Sequence, residues 1–223
     1  MKVNEQQLKT LLSKVFDVVF KESKYKDDVI LVMSSYLPVF SIDTTERIAS
    51  FLAQTGYESQ GFTKLIENMN YSTSGLLKTF SRNRISAEDC EKYGRNEQHE
   101  ANQQAIANVL YGGKFGATAL GNTESNDGWN FRGRGWIQHT GRYNYKALSK
   151  MTGWDVLTNP SLLEKPDYAT YTAMLFWTKG KLNDLADKSD DKAICIKVNG
   201  GLNGYNERVI LKNKIKNVIL DNL

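Results

Sequence analysis

The chain of 223 residues is 40% hydrophobic and 24% charged, with a net charge of +4. That composition belongs to a folded globular chain with one sizeable core, and it excludes a disordered or fibrous one. The small basic surplus carries no dense Lys/Arg stripe and no reading motif, which argues against nucleic acid as a partner.

The chain opens MKVNEQQLKTLLSKVF, with no uninterrupted apolar segment and no small-residue cleavage site, so no signal peptide is expected. Leu8, Leu11, Leu12, Val15, Phe16 and Val19 recur at helical spacing and predict a helix within residues 4–22. The apolar run 29–33 is read as helical from its neighbours. Next, Asp43 as N-cap and Glu46 three positions later predict a helix over 44–59. Its apolar face carries Ile48, Phe51, Leu52 and Thr55, and Gly61 is placed just past its end. The longest apolar runs, VFDVVF and VILVM, are far too short to span a bilayer, so stable membrane insertion is not expected.

Residues 71–80 suggest a short helix. Residues 81–112 are strongly polar until Ile106, Val109 and Leu110, and the glycine-rich stretch 112–135 reads as loop. The segment 81–127 is therefore either a small helical lobe that grips a glycan surface or an ordinary excursion, inserted within a single catalytic domain over 1–223. Helices are expected at 141–152 and, started by Pro166, at 166–180. In the tail, Val209, Leu211, Ile215, Val218 and Ile219 share one side, with lysines expected on the other. Strand signals are scarce, so the fold class is mainly α. Cys90 and Cys195 stand far apart with no CxxC and read as thiols. His99 and His139 are too few for a metal site, and no cofactor is implied.

Glu58 ends the apolar stripe of the 44–59 helix, and Glu67 follows nine residues on. On one unbroken helix the two would point to opposite sides, about 13 Å apart along the axis. A chain that turns at Gly61 can instead bring them to one substrate, as acid-plus-base hydrolysis of a glycosidic bond requires. An apolar surrounding, with Tyr57 and Phe62 as flanks, would suit Glu58 as the protonated member. The stretch 127–145, DGWNFRGRGWIQHTGRYNY, combines five aromatics with Gln138, Thr140 and Asn144, a mixture suited to sugar faces and hydroxyls. Packing alone would also explain its aromatics, and the missing GK[ST] rules out a phosphate loop.

Four blocks, RIASFLAQTGYESQGF, ENMNYSTSGLLKTF, DGWNFRGRGWIQHTGRYNY and VNGGLNGYNERV, resemble in that order the blocks of glycoside hydrolase family 19. This family holds plant-type chitinases and related phage endolysins. The resemblance implies a lysozyme-like, mostly helical fold with a deep substrate cleft and an inverting mechanism. It implies Glu58 as general acid, Glu67 as general base and Thr140 as the hydroxyl that helps hold the attacking water. Gln138, Tyr143, Asn144 and Asn199 match substrate-contacting positions, and Arg208 matches an arginine downstream of the NGG block. Two departures stand out: Tyr57 and Gln60 replace the family's usual histidine and small residue around the acid.

The expected function is an endolysin-type hydrolase of β-1,4 bonds in bacterial peptidoglycan. It would stay in the host cytoplasm as a monomer until a membrane-permeabilising protein lets it reach the wall in the periplasm. Chitinase action on β-1,4-N-acetylglucosamine polymers is the alternative within the same chemistry. A catalytically silent glycan-binding protein is the alternative outside it.

Overall fold

The computed structural model describes residues 4–223. Helices α1 (Glu5–Val19), α2 (Lys26–Tyr36) and α3 (Thr45–Glu58) come first. They are followed by the shorter α4 (Thr73–Thr79), α5 (Ala87–Tyr93), α6 (Gln103–Leu110), α7 (Gly113–Phe115) and α8 (Asp127–Asn130). The chain continues with α9 (Arg142–Thr152), α10 (Pro166–Lys179), α11 (Leu182–Asp187), α12 (Asp191–Asn199) and α13 (Tyr205–Leu220). Pairing outside helices is confined, among the described residues, to isolated bridges such as Ile66 with Arg134. No described helix is long and apolar enough to cross a membrane.

The chain forms two compact units. The first comprises residues up to Leu65, Gly135–Ile137 and Leu163–Leu223. Asn4 starts α1 with a capping box, its side chain and that of Gln7 each accepting the other's backbone N–H. The helix then buries Leu8, Leu11, Leu12, Val15 and Phe16, the stripe its spacing predicts. Helix α3 departs from expectation in two ways. Its N-cap is Thr44, whose extended backbone lets the hydroxyl accept the Arg47 N–H at 3.2 Å, while Asp43 lies against the Arg47 side chain instead. And every residue from Ile48 to Gly56 is buried, polar Ser50, Gln54 and Thr55 included. A helix covered all round is a central helix, not a surface one with a single apolar face. Helix α13 packs along α3, α1 packs on α2 and α13, and α10 packs on α2. Trp136 is fully buried in this core, donating its indole N–H to Thr170 at 2.8 Å and meeting Phe62 edge-on.

The tail helix also corrects the sequence reading. Lys212 faces inward with its ammonium 2.7 Å from Asp191 and bonded to Glu46, and Glu46 takes Lys216 at 2.7 Å as well. Burial opposes the charged form of both Lys212 and Glu46, but their mutual bonds outweigh it, raising the lysine's pKa and lowering the glutamate's. A buried lysine is tolerated because two carboxylates pair with it.

The second unit comprises residues 66–134 and 138–162. It has its own core of Met69, Leu76, Ile85, Cys90, Ile106, Ala107 and Leu110. The segment 81–127 lies within it, and the stretch 112–135, expected to be loop, holds α7, a π turn at Gly116–Leu120 and α8. The turn that leads into α8 has a local cause. The Asp127 carboxylate, fully buried, accepts the N–H groups of Thr123 and Glu124 and the Arg142 guanidinium at 2.7 Å, which closes the loop on itself. Cys90 and Cys195 are both buried free thiols.

Candidate active site

Two carboxylate sites can be built from the sequence upward, one in each unit. In the first, α3 ends abruptly at Glu58. Ser59 folds back, its hydroxyl donating to the Thr55 carbonyl at 2.7 Å and accepting the Phe62 N–H at 2.9 Å. Gly61, at φ +76°, donates its N–H to the Gly56 carbonyl, so it closes the terminus two residues beyond Ser59. Gly56 must lack a side chain because a Cβ there would sit 2.6 Å from the Phe20 ring. The helix end is thereby clamped on the Phe16, Phe20 and Phe62 cluster, and Glu58 is held at a fixed position.

Glu58 does not lie against an apolar wall. Its Oε1 accepts from Nη2 of Arg208, a residue only 2% exposed. The same guanidinium donates to Gln54 Oε1 at 2.7 Å and to the Asn203 carbonyl at 3.4 Å, and it stacks 4.3 Å from the Tyr57 ring centroid. This corrects the expectation of an apolar surrounding. Gln54 lies one turn before Glu58 on α3, so both present oxygen to the arginine that α13 delivers. A cavity of about 590 Å³ opens here, lined by Phe20, Tyr57, Glu58, Asn199, Asn203 and Arg208, among others. Asn199 is the last residue of α12 and donates its amide to the Asn203 carbonyl at 3.3 Å. Glu58, Asn199 and Arg208, separated by up to 150 residues, thus share one cavity.

In the second unit, Glu67 is pinned to Gly133 from both ends. Its backbone N–H donates to the Gly133 carbonyl at 2.9 Å, and the Gly133 N–H donates to its Oε2 at 3.0 Å. The Tyr111 hydroxyl donates to Oε1 at 2.5 Å. Burial, and then the Glu67 carboxylate beside it, push the Tyr111 pKa well above the ordinary phenol value, so the phenol stays a donor. Gln138 Oε1 and Glu67 Oε2 both crowd Gly133: a Cβ there would meet them at 2.8 and 3.1 Å. Gln138 itself holds a left-handed backbone, φ 52°, at the tight turn that returns the chain to His139 and Thr140.

The remaining candidates belong to that turn. Thr140 donates its hydroxyl to the Gln138 carbonyl at 2.9 Å, and Asn144 donates its amide to the Thr140 carbonyl at 2.7 Å. Tyr143, 59% exposed, lays its ring over Gly121. The structure thus gathers Glu67, Gln138, Thr140 and Asn144 locally in the second unit, with Tyr143 on its surface. Tyr111, Gly133, Gln54 and Asn203 escaped the sequence reading. Only Gln54 left a signal, its one-turn spacing from Glu58. Tyr111 lies 44 residues from its partner and left none.

A curated protein of Haemophilus influenzae, described as a glycosyl hydrolase family 19 domain-containing protein, is 38% identical over 160 residues, covering 72% of this chain and 74% of that one. The chain belongs to glycoside hydrolase family 19. No protein-family model matches it. Among solved structures, chitinase C of Streptomyces griseus aligns over 94% of this chain and 76% of its own, at 18% identity and a TM-score of 0.55. A bacterial family 19 chitinase aligns over 94% and 95%, at 18% identity and a TM-score of 0.52. At such identity these two speak for the fold alone, which is mainly α and lysozyme-like. As a member of the family, the protein is a glycoside hydrolase.

Proposed function

We propose that this hydrolase cleaves the β-1,4-linked glycan strands of bacterial peptidoglycan with inversion, Glu58 acting as general acid and Glu67 as general base. Glu58 gives its proton to the leaving oxygen. Glu67 takes a proton from a water that attacks the anomeric carbon from the opposite face. The Thr140 hydroxyl helps hold that water, while Gln138, Tyr143, Asn144 and Asn199 contact sugar. Glu58 is held meanwhile by its bond to Arg208.

The observation that carries the acid–base reading is the double fixing of Glu67 by Tyr111 and Gly133. It fixes both carboxylate oxygens, and so the direction in which the group can accept a proton. Peptidoglycan is preferred to chitin because the chain's surplus of four positive charges suits an anionic wall. Chitin is the second reading, favoured by the two chitinases whose fold the chain shares. The test sets turbidity loss of outer-membrane-permeabilised bacteria against sugar release from colloidal chitin, with Glu58→Gln as control. Faster release from chitin would reverse the substrate assignment. Wild type inactive on both would leave a glycan-binding protein, and Glu58→Gln as active as wild type would remove Glu58 as the acid.

A further inference from the structure

We infer that Tyr111 is the residue that positions the catalytic base. This inference rests on the assignment of Glu67 as the base and extends it to the segment between residues 81 and 127. Tyr111 caps the C-terminus of α6, its N–H donating to the Ala107 carbonyl at 2.9 Å. Its own carbonyl accepts the Asn122 amide at 2.9 Å. Gly116 packs so closely behind it that a Cβ would lie 2.1 Å from that carbonyl. Arg84 bonds to the preceding carbonyl, of Leu110, and stacks on Phe115, bracing the same turn. The backbone of Tyr111 is thus held on several sides, and its ring packs against the second core.

What this rigid mount presents is a single hydroxyl, 2.5 Å from Glu67 Oε1. The other carboxylate oxygen is fixed by the Gly133 N–H at 3.0 Å. Two donors on two different oxygens fix the plane of the carboxylate as well as its position. One donor would leave the group free to rotate about its last bond. A general base must point a lone pair at the water proton it removes, and small misplacements of that kind cost rate steeply. The polar segment that precedes Tyr111 therefore has a task besides covering surface: α6 and Arg84 build the mount from which the hydroxyl reaches the base.

The test compares wild type, Tyr111→Phe and Glu67→Gln on dye-labelled sacculi and on a soluble chitin hexasaccharide, using whichever the wild type cleaves faster. Tyr111→Phe removes one oxygen and leaves the ring in place. Its kcat should fall by about tenfold to a hundredfold, with KM within twofold. Its thermal midpoint should stay close to that of wild type, because the ring still fills its site. A merely structural tyrosine would move the midpoint and leave kcat per folded molecule unchanged. Glu67→Gln inactive with Tyr111→Phe at wild-type kcat would overturn the role of Tyr111 alone. Glu67→Gln retaining activity, or a wild type that cleaves neither glycan, would overturn the reading of Glu67 and the role of Tyr111 with it.

Discussion

In the first unit Glu58 meets a guanidinium, and in the second Glu67 meets a phenol and a backbone amide. Glu58 is held by one charged donor and Glu67 by two neutral ones. A cation attracts the carboxylate and must be displaced or loosened before the group can carry a proton. Neutral donors aim the oxygens and leave them able to accept one. If Glu58 is the acid, the guanidinium beside it opposes the protonated form that its role needs.

The largest effect is expected at Glu58. Glu58→Gln keeps the shape and can still accept from Arg208, but it cannot deliver a proton. Activity should fall by ~10²–10⁴, with the thermal midpoint little changed. A folded variant with half of wild-type rate would remove Glu58 from the mechanism.

The second unit can be loosened away from its carboxylate. Asp127 is fully buried, and burial alone would raise its pKa, but the Arg142 bonds and the Glu124 and Thr123 N–H groups hold it below the ordinary value. A lowered carboxylate contributes stability that is fully present above the unfolded value of about 3.9. That contribution disappears as pH falls through the lower folded value. Asp127→Ala should cost ~3 kcal/mol near neutrality, since it leaves Arg142 and two amides without their acceptor. The deficit should shrink in strong acid. Urea melts across pH check this, and an equal deficit at every pH would mean that packing, not charge, ties α9 to the Asp127 turn.

A smaller effect is expected at Thr140. Its hydroxyl donates to the Gln138 carbonyl, so it can only accept from a water. Thr140→Val should lower kcat by about tenfold through lost orientation, with glycan binding intact. Loss of binding at unchanged kcat would make Thr140 a substrate contact instead.

The sequence makes legible whatever repeats at short range. The stripe of α1, the Pro166 start of α10 and the position of Glu58 at a helix end all follow from spacing. Thr44 took the cap from Asp43 because either residue could serve, and the Arg47 side chain engaged the aspartate. What stayed hidden depends on pairs far apart in the chain. Arg208 finds Gln54 154 residues away, and Lys212 turns inward only because Glu46 and Asp191 converge on it. The helical turns at 113–120 were concealed by glycines, which signal loop by composition but here permit close packing around Tyr111 and Asn122.

In the proposed mechanism Glu67 works through water and not as a nucleophile. Proton NMR of the first products, recorded before mutarotation on a soluble β-1,4 oligosaccharide that the enzyme cleaves, tests it most directly. Attack by water on the face opposite the proton donor inverts the linkage, so the α-anomer should appear first. An initial excess of β-anomer would contradict the account, because retention requires a covalent intermediate or its equivalent in place of a base.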